Sequence, residues 1–411
     1  MTVNAFLAMR TTQWHLLLIF FILIFLFIRK ENYSAMGQNK ASETHSVKLF
    51  LCGDVMLGRG IDQILPHSVS PKIYESYVKD ARDYVHLAEI KNGSVPKPVS
   101  YAYIWGDAME IWKNMAPDAK IINLETSITT HNKPWAGKGI NYRMHPKNVE
   151  VLTTAGINFC ALANNHTLDW ERAGLLETMN TLKKSDIAFA GAGINDTEAA
   201  NPASLPSQKG KIIVLAYGSK SSGIPKSWAA QENLPGINML PETDEMAVVL
   251  IKNEISKIKQ KNDIAILSIH WGGNWGYDIP LKHQKLAHEI IDKAGVDIIH
   301  GHSSHHPMGI EVYHNKLIIY GAGDFINDYE GISGQEQYRG ELSLMYFPEV
   351  NQENGELISM KIFPMETKNF RLHKASKSDA IWLKTVLNRE GRQFGTQFKW
   401  NDDLSMDLEW K

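Results

Sequence analysis

The chain has 411 residues, 43 Lys and Arg against 45 Asp and Glu, a formal net charge of −2, and 44% hydrophobic residues. That length suits one large domain or two ordinary ones, and the composition is that of a folded protein with a sizeable core. Near-neutral charge without a basic run excludes an extended nucleic-acid surface. The two cysteines, Cys52 and Cys160, exclude a disulfide framework and read as small core residues at the ends of apolar runs, with a single bridge between them left open.

Taken in chain order, the first distinctive segment is Trp14–Ile28, almost wholly apolar and closed by Arg29-Lys30-Glu31. Crossing a bilayer as a straight helix takes about 20 residues, a length reached by borrowing the flanks from Met9 onward, with Arg10 and Lys30 snorkelling. The segment is expected to be an uncleaved membrane anchor. A cleaved signal peptide is the alternative, with Ala35-Met36-Gly37 its best processing site. Residues 1–30 are thus the anchor, and the polar, aperiodic residues 31–46 a linker.

From Val47 short apolar runs alternate with helical patterns. The runs are Val47–Cys52, Ala119–Leu124, Ile157–Ala163, Ile187–Ala190, Lys211–Tyr217, Ile264–Ile269, Val296–Ile299 and Leu317–Tyr320. They are continuous rather than alternating, as in strands covered on both faces. Amphipathic helices are predicted over Asp169–Lys184, Glu242–Lys259 and Leu281–Ala294, the first with Asp169 as its cap. This alternation predicts a layered α/β sheet. Residues 66–117 read as an insertion able to shape a cleft. Beyond Phe347 a strand pair (Leu357–Phe363, Asn369–His373) and a helix from Ser378 read as a C-terminal extension, 348–411.

The chemistry gathers where these strands end. Asp54 follows the first, Asn123 and Glu125 the second, and Asn164, Asn165, His166 and Asp169 the third. His270 closes "ILSIH", His302 and His305 lie in "IIHGHSSHH", and Asp324 in "YGAGDF". In open α/β sheets ligands bind beyond the carboxyl ends of strands, so residues remote in sequence are expected to meet at one rim. Carboxylates, an amide carbonyl and imidazoles suit Mn²⁺, Zn²⁺ or Fe²⁺, and a carboxylate between nitrogen ligands suits a two-metal hydrolytic site.

"GDVMLGR", "NLET", "NNHTLD", "HWG" and the Gly-His loop before "GIEVY" together resemble the capsule-synthesis CapA family of the calcineurin-like metallophosphoesterase superfamily, over residues 47–347. The resemblance implies a four-layer αββα sandwich behind one N-terminal transmembrane helix, with a dinuclear metal site. Matched motif by motif, it implies Asp54, Glu125, Asn165, His270, His302 and His305 as metal ligands, with Glu125 between the ions, and His166 as the catalytic histidine. Arg59, Asn123 and Asn164 are expected to meet substrate. His300 and His306 read as supporting residues, and His314 takes no role. The pattern departs at Met56, where many superfamily members carry a first-motif histidine, at the inserted Ser303-Ser304, and at Asp324 in place of an Asn. Asp324 either adds a ligand or caps its loop.

The expected activity is metal-dependent hydrolysis of phosphoester type in poly-γ-glutamate-type capsule synthesis, on an anionic polymer or phosphoester substrate. The domain would lie outside the membrane, held by residues 14–28, with capsule synthase subunits as partners and no nucleic acid. The alternatives are a non-catalytic polymer-binding or export component, and a metal-dependent γ-glutamyl or amide hydrolase.

Overall fold

Residues 45–411 are described by the computed structural model; the expected anchor, and all but the last two residues of the expected linker, lie outside the described residues. Among the described residues no helix is long and apolar enough to cross a membrane.

Two sheets lie face to face. In the larger, the strands Ser46–Val55, Ala119–Leu124, Phe159–Ala161 and Ala188–Ala190 run parallel in that order. Antiparallel strands Leu342–Asn351, Leu357–Lys368, Met406–Trp410 and Thr396–Trp400 extend it on the other side of Ser46–Val55. The smaller has a parallel core of Lys211–Gly218, Ile264–His270, Ile298–His302 and Lys316–Ile319, edged by Ala203–Pro206 and Ile310–Tyr313.

Successive side chains on a strand point to opposite faces, so each parallel strand feeds two cores. Leu49, Leu51, Ile121 and Phe159 meet Val214, Ile266, Ile298 and Leu317 between the sheets. Phe50, Ile122 and Cys160 point outward, under Trp105, Trp112, Leu152, Leu175 and Leu182 from helical segments. On the far side Ile213, Leu267 and Ile299 lie under the helices Asp244–Ile258 and Leu281–Ala294. Burial on both faces is why these strands read as continuous apolar runs, each buried Leu or Ile contributing roughly 1.5–3 kcal/mol. The order is therefore helix, sheet, sheet, helix. Cys52 and Cys160 are both buried and free, with no bridge between them.

Two expectations need correcting. The boundary at 347/348 falls inside the strand Leu342–Asn351, which pairs directly with the first strand. Residues 348–411 therefore complete the large sheet and seat Leu383, Leu387 and Phe398 in the inter-sheet core. The helix expected from Asp169 begins at Glu171 with no side-chain cap, because the Asp169 carboxylate is turned into the site.

The rim is set by register. Asp54 pairs across the large sheet with Asn123 on one side and Asp324 on the other, while in the small sheet His270 stands opposite His302. The row depends on Gly53. A Cβ there would lie 1.6 Å from the Gly323 carbonyl oxygen, which accepts the Asp54 N–H at 2.9 Å.

Candidate metal centre

Asp54 is 1% exposed and is the hub. Its Oδ1 accepts from Asn123 Nδ2 at 2.7 Å, and the same amide reaches Glu125 Oε2 at 3.3 Å. Asn123 Oδ1 in turn accepts from Asn164 Nδ2 at 3.0 Å. Asn164 Oδ1 accepts from the His166 backbone and from Thr167 Oγ1. Asn123 and Asn164 are fully buried and their amides are engaged within the protein, so they hold the carboxylates and the Asn164–Asp169 turn instead of meeting substrate.

Arg59 is corrected as well. Its guanidinium is buried, donates to Glu75 Oε1 at 2.8 Å and to both oxygens of Asp328, and stacks on Tyr84 at 3.8 Å. Paired with two carboxylates, it ties the 66–117 stretch to the domain, and it reaches the cleft described below only as part of its lining.

Opposite Asp54, His270 Nδ1 and His302 Nδ1 lie 2.8 Å apart, and His302 Nδ1 is 4.0 Å from Asp54 Oδ1. Burial, then the neighbouring histidines, hold both rings well below the usual imidazole range, which keeps them neutral and able to ligate. On the other flank His305 Nδ1 lies 2.8 Å from Asp324 Oδ1. Two sets of donor atoms result, Asp54 with His270 and His302, and Asp54 with His305 and Asp324, each within 4.8 Å of one another. The carboxylate common to both is Asp54. Glu125, expected between the ions, lies beside Asp54 and belongs to neither set.

The donors fit a cation in two further respects. Asp54 Oδ2, Asn165 Oδ1 and His270 Nε2 are buried without a hydrogen-bond partner among the described residues, where buried polar atoms are nearly always paired. The carboxylates are also crowded. Burial, with the charge of Asp324, pushes Asp54 up to about 6, and burial with the charge of Asp54 raises Glu125 well above its usual value. A divalent ion relieves that crowding. Two carboxylates, an amide carbonyl and neutral imidazoles are ligands for Mn²⁺, Fe²⁺ or Zn²⁺.

His166 stands apart from both sets. Its Nδ1 lies 2.7 Å from Asp169 Oδ2 and 3.1 Å from Lys138 Nζ, and Lys138 also pairs with Asp169. Tyr142 stacks on the ring at 3.8 Å. Burial lowers the ring's pKa to about 4 against the pull of Asp169. The nearer partner of Nδ1 is the Asp169 carboxylate, which only accepts, while Lys138 has Asp169 as its own acceptor; with the hydrogen on Nδ1, Nε2, 3.8 Å from Glu125 Oε1, keeps its lone pair. These groups open into a cleft of about 770 Å³ whose lining includes Lys138, Tyr142, Asn165, Trp275 and His305, with Tyr77 and Lys91 from the 66–117 stretch.

His300, on the Cys52 carbonyl, and His306, stacked on Tyr338, are buried supports; His314 is an exposed hairpin-turn residue beside Asp292. Lys138 and Tyr142 were missed because they sit on an aperiodic loop that no strand end announces.

The family model described as "Bacterial capsule synthesis protein PGA_cap" matches residues 48–329. A "Probable polyglutamine synthesis accessory protein" of Mycobacterium tuberculosis is 44% identical over 365 residues, covering 88% of this chain and 96% of that protein. "PGA biosynthesis protein CapA" of Bacillus subtilis is 26% identical over 402 residues, covering 95% and 90%. Among solved structures, a novel phosphatase of Mycoplasma pneumoniae covers 78% of this chain and 94% of its own at 15% identity and a TM-score of 0.44. With the model spanning well over half its length and a 44% identical relative matched almost end to end, the chain belongs to the PGA_cap family of bacterial capsule synthesis proteins.

Proposed function

We propose that this protein is a membrane-anchored, metal-dependent hydrolase of phosphoester type that acts in the synthesis of a polyglutamate-type capsule. The family's description supplies the capsule setting, and the names of its relatives supply polyglutamine and PGA synthesis. The observation that carries the chemistry is the meeting of two donor sets on Asp54 at a cleft where His166 is held by Asp169. The anchor would be Trp14–Ile28, with the domain outside the membrane.

Asp54, His270 and His302, with Glu125, Asn165 and His305 around them, would hold one or two divalent ions. Such ions supply Lewis-acid stabilisation of charge on oxygen and a nucleophile at neutral pH. The chain's own residues do the rest. His166 Nε2 takes or returns the proton at the reacting oxygen, and Asp169 keeps the ring's orientation and stabilises its protonated form. Asn123 and Asn164 fix the carboxylates, and the Tyr142 ring stops His166 from turning. A module that only binds polymer has no use for an imidazole held in this way, which favours the hydrolase over the export component.

The test is hydrolysis by the purified full-length chain with added Mn²⁺, on a phosphomonoester, a phosphodiester and a γ-glutamyl amide in parallel. Turnover of a phosphoester supports the reading; turnover of the γ-glutamyl amide alone moves the same centre to amide chemistry; turnover of none overturns catalysis.

A further inference from the structure

We propose that Asp324 is itself a metal ligand, completing with Asp54 and His305 a cation position separate from that of Asp54, His270 and His302. The proposal rests on the metal-centre reading above.

Asp324 is placed by the backbone. It begins the short strand Asp324–Ile326, pairs in register with Asp54, and is 4% exposed. Its neighbour along the first strand offers nothing: Met56, two residues beyond Asp54, is a buried thioether, a poor ligand for ions that prefer oxygen. The next strand does offer a donor on this flank, and there Asp324 stands in register with Asp54. Asn327 Nδ2 donates to its Oδ2 at 2.8 Å, holding the carboxylate with Oδ1 toward His305 at 2.8 Å.

The neighbouring atoms need such a group. Asp54 Oδ2 is buried with no partner among the described residues. Three buried carboxylates, Asp54, Glu125 and Asp324, gather here. The nearby lysine, Lys138, is already paired with Asp169, and the His305 ring lies against Asp324 itself. Two carboxylates and one imidazole make a hard-to-borderline donor set, suited to Mn²⁺ or Fe²⁺. The competing role for Asp324 is to orient His305 as an outer partner while His305 alone ligates.

Metal counting separates the two roles without reference to activity. The full-length chain is stripped with chelator, reloaded with Mn²⁺ alone, and examined by elemental analysis and electron paramagnetic resonance. The wild type is expected to take two Mn²⁺ per chain with a spin-coupled signal. Asp324→Ala is expected to take one, uncoupled, and His302→Ala to lose the other. Asp324→Asn keeps the side chain's size should the alanine variant misfold, and is expected to weaken the second ion at least tenfold with the first unchanged. Two coupled ions in Asp324→Ala would overturn the Asp324 assignment alone. A wild type that binds no Mn²⁺ would overturn the metal-centre reading beneath it.

Discussion

Lys138 and Asp169 bring opposite charges to the same ring nitrogen of His166, and this junction fixes what the histidine does. Asp169 accepts from Nδ1, leaving Nε2 free on the cleft side, while Lys138 neutralises Asp169 from the rim. His166→Ala should leave metal content nearly unchanged and lower hydrolysis by about 10²–10⁴-fold, the span of a positioned acid–base group. Lys138→Met should cost about 10–100-fold in turnover, the range for partners that orient a reacting or ligating group, with metal content again unchanged. Steady-state kinetics beside elemental analysis checks both; loss of metal in either variant would move that residue into the ion-binding set. The histidines and carboxylates that gather here were legible because strand ends deliver side chains to one rim. The direction of their hydrogen bonds was not. Asn123, Asn164 and Arg59 have the composition of substrate contacts, and only the fold reveals that inward partners already satisfy them.

Among the elements, the strands buried on both faces were located, with ends that differ by up to three residues, as Ser46–Val55 and Ile298–His302 show. Ala119–Leu124 and Leu281–Ala294 match the expected limits, the latter bracketed by Pro280 and by Gly295 at φ +77°. The hairpin Thr396–Trp400 and Met406–Trp410 escaped because its half-exposed strands carry no continuous apolar run. The short helix Arg59–Ile64 carries a buried acid that makes a testable contribution to stability. Asp62 accepts from the backbone of Val69 and His145 at 2.8 Å and from Asn148 Nδ2 at 2.9 Å, and burial outweighs these donors to push it up to about 6. An unfolded Asp titrates near ~3.9. The native state therefore holds a proton that the unfolded chain has released between those values. Its contribution is full below pH ~4, declines as pH rises through 6, and is flat above, a change of about 3 kcal/mol. In urea unfolding, the stability difference between wild type and Asp62→Asn should shrink by that order from pH 4 to 7. A difference that grows with pH would contradict the assignment.

At the scale of the whole molecule, the C-terminal segment 348–411 closes the fold it was expected to decorate. Removing residues 348–411 would expose Leu344 and Tyr346 and strip Met360, Ile362, Leu383, Leu387 and Phe398 from the inter-sheet core. At roughly 1.5–3 kcal/mol for each buried side chain, that loss is of the same order as the roughly 5–15 kcal/mol by which a native domain outlasts its unfolded state. A chain ending at Phe347 should be insoluble or melt without cooperativity, and a soluble, cooperatively melting product would contradict the single-unit reading. The sheet order was hidden from sequence because the first strand's antiparallel partner, Leu342–Asn351, lies some 300 residues away from it, and no local pattern reports such a pairing.

Phosphodiester turnover by the full-length chain, before and after chelation, decides whether this cleft performs ion-dependent hydrolysis. Turnover is expected that chelator abolishes, that Mn²⁺ restores, and that His166→Ala loses while still binding the ion. A wild type that binds Mn²⁺ yet turns over no phosphoester under any of these conditions would contradict it.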